Sequence, residues 1–289
     1  MDTGCNMKIA IASGKGGTGK TTLAINLALA LSKTQETTLV DCDVEEPNTL
    51  LFFRRQPEQV EPATVPLFSA DMDACDGCGR CAEACRFNAI AVVSQRPIFF
   101  PEMCHGCGGC MLACPKEAIR ESTRQNGQIR SFTDDRIHFY EGRLNIGEAM
   151  AVPMIEQVKQ KATQTQTSVT ILDCPPGTSC PMMATIRHCD FVLLVTEPTP
   201  FGLNDLRLAV EVVRLFRIPF GVVINRDGVG DDRVVHYCEE ENIDLLSCLA
   251  DDRRVAELYS QGTPAYGQIP SFTSQLDELA ASLLERSVS

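Results

Sequence analysis

The chain of 289 residues contains no tryptophan, only 6% aromatic residues and no excess of basic residues. Lysine and arginine total 26 against 38 aspartate and glutamate residues, so the formal net charge is −12. Binding to a nucleic-acid backbone needs a basic surface, and binding to single strands needs aromatic stacking platforms. The composition therefore argues against a nucleic acid as the main partner.

Long hydrophobic runs are absent as well. The longest bulky apolar runs, such as residues 191–195, are far shorter than a membrane span. No basic segment leads into an apolar stretch near Met1, and the amphipathic segment at residues 275–286 is acidic, which disfavours membrane docking. With 44% hydrophobic and 22% charged residues, we expect a folded cytoplasmic protein of about two domains without a stable membrane anchor.

Cysteine, by contrast, is abundant, and eight of the 15 cysteines lie between Cys75 and Cys114. They form two runs with the spacing C-x2-C-x2-C-x3-C: Cys75, Cys78, Cys81 and Cys85, then Cys104, Cys107, Cys110 and Cys114. Each position lies 29 residues from its counterpart, and the flanking glycines repeat too. Such a short internal repeat predicts two copies of one small unit that pack on each other.

This spacing is that of the bacterial ferredoxin run, in which the fourth cysteine ligates the other cluster. Three closely spaced thiolates surround one face of a cubane, so its fourth corner must come from a more distant segment. The predicted ligand sets are Cys75, Cys78, Cys81 and Cys114 for one [4Fe–4S] cluster, and Cys104, Cys107, Cys110 and Cys85 for the other. Paired zinc sites are the alternative, but zinc ribbons use two CxxC pairs separated by a longer loop.

The segment thus resembles a bacterial two-cluster ferredoxin, although Arg86 stands where that family usually has proline after the fourth cysteine. Of the other seven cysteines, Cys42, Cys174 and Cys189 fall in or beside apolar strands and are expected to be small core residues. Cys180 remains open as a ligand to a cluster shared between two subunits. The remaining bystanders are Cys5, Cys238 and Cys248.

A second motif lies near the start of the chain, where an apolar strand, a glycine-rich loop and a helical pattern follow one another. The loop matches GxxxxGK[ST], the phosphate loop of nucleotide-binding proteins. Lys20 is expected to reach the β- and γ-phosphates, and the Thr21 hydroxyl to bind Mg²⁺. The residues predicted to contact ATP here are Gly14, Lys15, Gly16, Gly17, Thr18, Gly19, Lys20, Thr21 and Thr22.

With its second lysine, Lys15, the loop resembles the deviant Walker A motif of the class that includes MinD, ParA and the nitrogenase iron protein. The resemblance implies that Lys15 reaches across a dimer onto the partner's nucleotide. It also implies that Asp43 is the switch I aspartate that positions the attacking water, and that Asp173 in the segment DCPPG binds Mg²⁺ through water. By the same resemblance Asn225 reads the adenine. Asp41 is expected to be structural, or to support the site through another residue.

These patterns predict an α/β fold, a doubly wound and mostly parallel sheet of the P-loop NTPase type, interrupted by a small α+β domain of the bacterial ferredoxin type. The predicted boundaries are 1–62 for the first part of the ATPase, 63–120 for the ferredoxin insertion and 121–289 for the second part. Residues 61–66 are expected to be a linker. Cys42 and residues 43–48 together have the sequence CDVEEPN. This sequence resembles a stretch found in MinD-superfamily ATPases that carry an inserted ferredoxin domain.

The function expected from this combination is slow, partner-stimulated ATP hydrolysis coupled to electron transfer through two [4Fe–4S] clusters. ATP and Mg²⁺ are the other expected cofactors. The resemblance implies an ATP-dependent homodimer, or a heterodimer with a paralogue, and a redox protein as partner. Two alternatives remain: an ATPase that assembles or carries iron–sulfur clusters, and a positioning or partition ATPase whose clusters sense redox state.

Overall fold

The computed structural model describes residues 6–286, so the bystander Cys5 lies outside the described residues. The chain divides into two compact units. The first comprises the residues up to Glu61, Ile129–Arg143 and the residues from Ala151 onward, and the second comprises Pro62–Gln128 and Leu144–Met150.

The strands alternate with helices along most of the chain, which is the pattern of an α/β fold. The strands are β1 (Met7–Ala12), β2 (Thr37–Asp41), β3 (Gln59–Ala70), β4 (Ile90–Val93), β5 (Arg96–Phe99), β6 (Ile119–Asp134), β7 (Ile137–Leu144), β8 (Val169–Asp173), β9 (Phe191–Thr196), β10 (Phe220–Asp227) and β11 (Asp244–Ala250). The helices are α1 (Lys20–Leu31), α2 (Arg80–Ala84), α3 (Gly109–Leu112), α4 (Ala151–Ala162), α5 (Cys180–Ile186), α6 (Pro200–Phe216), α7 (Arg233–Glu240), α8 (Arg253–Ser260) and α9 (Pro270–Arg286). Short 3₁₀ turns occupy Thr49–Phe52 and Pro101–Met103.

Nine strands of the described residues form one sheet in the order β11-β10-β9-β1-β8-β2-β7-β6-β3. The pairings from β11 to β7 are all parallel. The central strands β1, β8 and β9 are buried along almost their whole length, as expected for strands covered on both faces. The predicted doubly wound, mostly parallel sheet of the P-loop type is therefore confirmed.

Helices cover both faces of this sheet in the first unit. The odd-numbered residues Ile9 and Ile11 of β1 pack into one core with Leu23 of α1 and Leu276 of α9. On the other face α4 packs against α5, above Val40 of β2. Because all the parallel strands end at the same edge, the loops that follow them are brought together there.

The second unit is built around a small core that contains its own cysteines. Phe68, Ile90 and Ile119 pack with Cys81 of α2 and Cys110 of α3. The strands β4 and β5 form an antiparallel hairpin with Ile90 opposite Phe99.

Two local expectations were wrong. Residues 61–66, the expected linker, lie within the twelve-residue strand β3, whose alternating burial reflects a half-buried strand. The sequence pattern of residues 147–162 predicts a helix with a kink at Pro153, but α4 begins at Ala151 instead. Pro153 therefore lies in the first turn of α4, where the amide proton that proline lacks would have no partner within the helix. Within residues 6–286, none of the helices combines the length and apolar character that a membrane crossing requires.

Candidate functional site

The glycine-rich loop connects the end of β1 at Ala12 to the start of α1 at Lys20. Gly17 and Gly19 have φ angles of +80° and +92°, a region that side chains other than glycine rarely adopt. A Cβ atom on Gly14 would lie 2.0 Å from the carbonyl oxygen of Asp205 in α6. The glycines thus let this loop curl at the N-terminus of α1, where backbone amides favour phosphate.

Hydrogen bonds hold the loop in this conformation. The Ser13 hydroxyl donates to the Lys15 carbonyl oxygen at 2.6 Å, and the Lys20 ammonium donates to the same oxygen at 3.4 Å. The Gly177 amide donates to the Ser13 carbonyl at 3.2 Å, which joins the loop to the segment after β8. Lys20 is 7% exposed, so its charge is held inside the loop that would surround the phosphates.

Three acidic residues lie side by side where neighbouring strands end. Asp41 of β2 is paired in register with Asp173 of β8 on one side and with Glu141 of β7 on the other. All three are at most 1% exposed. Glu141 is neutralised by an ion pair with Arg130, and the sequence had singled out neither residue as part of the site. Only register across the sheet reveals this row.

Asp41 and Asp173 differ in how their charges are satisfied. Asp41 accepts hydrogen bonds from the amides of Asp43 at 3.0 Å and of Asn48 and Thr49 at 3.1 Å. Neither carboxylate oxygen of Asp173 has a well-formed hydrogen bond among the described residues. Burial is the main cause that raises the pKa of Asp173 well above its usual range, and the charge of the neighbouring Asp41 adds to this rise. Thr21 and Lys20 oppose it.

A buried carboxylate without partners is costly unless a cation binds it. Asp173 lies near the Thr21 hydroxyl and the Lys20 ammonium, so this oxygen-rich corner fits the Mg²⁺ that the motif predicts. The buried Thr18 hydroxyl is also without a partner among the described residues. Thr21 and Asp173 are therefore the residues that would hold the ion, directly or through water.

Asp43 lies two residues beyond the end of β2 and is half-buried. Burial and the charge of Asp41 raise the pKa of Asp43 to about 6, although the charge of Lys20 opposes this rise. Its backbone is fixed through the bond to Asp41, which also holds the amides of the segment 48–49. Asp41 therefore positions the segment in which the predicted water-positioning carboxylate lies.

We expect Asp41→Asn to destabilise the protein by about 1–3 kcal/mol, because the Asn amide has one acceptor oxygen in place of two, so at least one of the bonds from the Asp43, Asn48 and Thr49 amides is lost. Hydrogen exchange of the amides at residues 43–49 should accelerate at the same time. Calorimetry and exchange measured by mass spectrometry would check both. Unchanged exchange in this segment would contradict the positioning role.

Two more of the predicted site residues make contacts within the single chain that the sequence does not predict. The Asn225 amide nitrogen donates to the Thr18 carbonyl at 2.9 Å, so Asn225 lies beside the loop that precedes α1. The Lys15 ammonium lies 3.6 Å from a carboxylate oxygen of Glu197, just after β9. Sequence reasoning had no signal for this pair, because 182 residues separate its members. The described residues of the first unit thus bring Lys15, Lys20, Asp43, Asp173 and Asn225 around one loop.

In the second unit the eight clustered cysteines surround two cavities. Cys75, Cys78, Cys81 and Cys114 line one cavity. Cys85, Cys104, Cys107 and Cys110 line the other. This is the crossed grouping that the spacing predicts. In the described part of the chain, no three His, Cys, Asp or Glu side chains converge closely enough to hold a single metal ion. The thiols of each set lie around a cavity.

The two halves of this unit share their backbone conformation as well as their sequence. The Ala89 amide donates to the Cys85 sulfur and the Ala118 amide to the Cys114 sulfur, both at 3.3 Å. Matching residues of the two halves have positive φ angles: Gly77 and Gly106, Gly79 and Gly108, Asn88 and Glu117. Amides directed at sulfur stabilise thiolates that bind metal. The four-thiol cavities therefore fit two [4Fe–4S] clusters in ligand type, number and hydrogen bonding.

The described cysteines outside these sets line neither of the two cavities. Cys42 and Cys174 are buried, and burial raises the pKa of each thiol well above its usual range. Burial also raises the pKa of Cys189 to about 12 and that of Cys238 to about 11. Such thiols stay protonated and pack as small apolar groups. Cys180, at the start of α5, is exposed.

Comparisons with known proteins agree with the nucleotide-binding fold of the first unit. A family model described as the CobQ/CobB/MinD/ParA nucleotide binding domain matches residues 9–265. An uncharacterised protein of Methanocaldococcus jannaschii is 36% identical over 230 residues, which cover 79% of this chain and 81% of that protein. An iron–sulfur cluster carrier protein of Pyrococcus abyssi is 23% identical, covering 96% of this chain and 86% of the relative.

The fold has a solved counterpart in the septum site-determining protein MinD of Pyrococcus horikoshii, complexed with Mg-ADP. The two chains superpose with a TM-score of 0.61 at 18% identity, and the match covers 96% of each. At this identity the likeness concerns the fold.

Proposed function

Because the chain belongs to the CobQ/CobB/MinD/ParA nucleotide-binding family, we propose that it couples ATP hydrolysis to electron transfer through two [4Fe–4S] clusters. The prediction of a MinD-type P-loop ATPase is confirmed by this membership. The coupling, the clusters and the dimer are the proposal. One observation carries it: a single chain combines a complete phosphate loop with two cavities that are each lined by four cysteines.

In the proposed ATPase, two copies of the chain each hold one MgATP on the loop of residues 14–22. Lys20 stabilises the charge that develops on the transferred phosphoryl group, and Asp43 orients the attacking water. Lys15 of one copy contacts the nucleotide of the other. Asn225 binds the adenine, and Thr21 and Asp173 hold Mg²⁺. Catalysis then depends on positioning and charge neutralisation.

In the proposed redox unit, the thiolates of the two cysteine sets hold one cluster each. Bound [4Fe–4S] clusters supply one-electron carriers. The chain contributes the amides of Ala89 and Ala118, which stabilise the sulfur charge of Cys85 and Cys114. Cys81 and Cys110 are buried, so each set has one thiol that is shielded from water.

We expect MgATP to change the rate at which the reduced protein loses electrons by about fivefold or more, a common size for coupling between two sites. The anaerobically purified protein would be reduced with dithionite and mixed with cytochrome c in a stopped-flow instrument. The cluster signals would be followed by EPR with and without MgATP. Lys20→Ala should give equal rates in both conditions, because it removes the main phosphate contact.

The matched control for Lys20→Ala is Lys161→Ala, which removes a lysine of the same unit that pairs with Glu61 on the surface. It should retain the response to MgATP. If wild-type rates and EPR signals are the same with and without MgATP, the coupling is excluded, whatever the ATPase rate.

Carriage of clusters to another protein is the second candidate, favoured by the distant relatives named iron–sulfur cluster carrier proteins. Sites with four cysteine ligands hold a cluster firmly, which counts against release. Incubation of the radiolabelled protein with an apo-ferredoxin separates the two functions. Transfer of label faster than to a free chelator would favour a carrier, and transfer no faster than this control would exclude it.

A further inference from the structure

Lys15 is directed towards a carboxylate of its own chain. Its ammonium lies 3.6 Å from the Glu197 carboxylate, with 32% of the Lys15 side chain and 13% of the Glu197 side chain exposed. A contact between Lys15 and a nucleotide bound to another protomer would compete with this ion pair. The ion pair therefore opposes the role that the proposed function gives to Lys15. The present inference rests on that proposed role.

Glu197 has a second cationic partner that does not depend on Lys15. The Arg226 guanidinium lies 3.3 Å from the other oxygen of Glu197 and also 3.1 Å from Asp251. Removing one partner from a buried ion pair is costly when the remaining charge has no other partner. Because Arg226 stays in contact with Glu197, Lys15 can leave without this cost.

The backbone around the pair is fixed on both sides. The Lys15 carbonyl is held by Ser13 and Lys20. A Cβ atom on Gly202 would lie 2.2 Å from the Glu197 carbonyl oxygen, so α6 packs directly against that peptide. The Lys15 side chain is therefore the part that can change partners, while the loop that holds it keeps its conformation.

We propose that Glu197 is a positioning residue that holds Lys15 in its own protomer, and that assembly of two ATP-loaded chains breaks this pair. The triphosphate of the second protomer, with its greater negative charge, would compete with the single carboxylate for Lys15. The pair sets a threshold for assembly and so suppresses hydrolysis by isolated chains. A partly exposed ion pair contributes modestly, so we expect a threshold of about two- to fivefold in affinity.

The first test concerns the resting contact and needs no assembly. Lysine acylation of the nucleotide-free protein would be followed by mass spectrometry, with Lys33 as the internal reference. Glu197→Gln should increase the acylation rate of Lys15 by about two- to fivefold, because the amine loses its ionic partner. Glu241→Gln, which removes a surface ion pair with Arg214 elsewhere in the same unit, should leave this rate unchanged.

The second test concerns assembly. In the presence of the analogue AMPPNP and Mg²⁺, sedimentation should show that Glu197→Gln lowers the dissociation constant of the dimer by about two- to fivefold. ATPase activity at low protein concentration should rise by a similar factor. In a Lys15→Ala background the substitution of Glu197 should change neither quantity, because the two residues act through one contact.

The outcomes separate this proposal from the proposed function. Unchanged acylation of Lys15, or unchanged assembly of Glu197→Gln while Lys15→Ala loses ATPase activity, would overturn the role of Glu197 and leave the proposed ATPase standing. An effect of Glu197→Gln that persists in the Lys15→Ala background would also overturn it. A Lys15→Ala variant with full activity would instead remove the function assigned to Lys15.

Discussion

Replacing Cys110 by alanine should lower the iron content of the anaerobically purified protein from about eight to about four atoms per chain. Cys110 is buried in the core of the second unit and lines one of the two four-cysteine cavities, so no other described thiol can take its place there. Iron and sulfide analysis would measure the loss. Cys238→Ala, which alters a buried cysteine of the first unit outside both sets, should retain about eight iron atoms.

The crossed ligation makes this expectation sharper. Cys78→Ala and Cys114→Ala should lose the same EPR component, although 36 residues separate them, because both line one cavity. Cys107→Ala and Cys85→Ala should lose the other component. If Cys114→Ala instead matched Cys107→Ala, each run would bind its own cluster and the crossed arrangement would be wrong. Iron retained at full level in all four variants would exclude the clusters as assigned.

Replacing Asp173 by asparagine should reduce ATPase activity by about 100-fold or more while making the nucleotide-free protein more stable. The loss follows because the residue that would hold Mg²⁺ becomes neutral. The gain follows because Asp173 is 1% exposed and neither of its oxygens has a well-formed hydrogen bond among the described residues. Neutralising such a carboxylate should contribute about 1–3 kcal/mol to the stability of the free protein.

The gain in stability should depend on pH in a defined direction. The pKa of Asp173 is raised in the folded protein, so the folded state binds its proton more tightly than the unfolded state does. The wild type therefore loses stability as the pH rises from about 4 towards the folded pKa, and Asp173→Asn removes this loss. The difference between variant and wild type should be larger at pH 8 than at pH 5.

Anaerobic calorimetry at both pH values, with and without MgADP, would measure these effects. MgADP should stabilise the wild type and have little effect on Asp173→Asn. Asp41→Asn serves as the matched control. The same change at this paired position should destabilise the protein, because the Asp41 carboxylate accepts three hydrogen bonds from backbone amides. A decrease in stability for Asp173→Asn at pH 8 would contradict the view that its charge is unsatisfied without a cation.

The two aspartates show how far the sequence could predict the nucleotide site. The loop of residues 14–22 and the strand-ending aspartates are recognisable because each motif is contiguous and its chemistry needs those residue types. That Asp41 accepts three backbone bonds, whereas Asp173 has none of good geometry, is not visible in the sequence. It depends on where residues 43–49 fold back, and on the register that aligns Glu141, Asp41 and Asp173.

The segment around residues 61–66 shows where local composition misleads. Two prolines and polar residues are typical of a linker, yet this stretch forms part of β3. A proline lacks an amide donor, and β3 stands last in the strand order of the sheet. Edge strands tolerate prolines because one of their sides needs no partner. Position in a sheet, which composition does not encode, decided this element.

The sequence by itself determined the ligand types and their spacing: eight cysteines in two repeated runs, a phosphate loop with two lysines and two strand-ending aspartates. Contiguous motifs carry this information because their chemistry is local. Only the tertiary structure decided which groups meet across long separations. It aligned Asp173 with Asp41 and brought Glu197 to Lys15. Such contacts follow from strand order, register and burial, which arise when the whole chain packs.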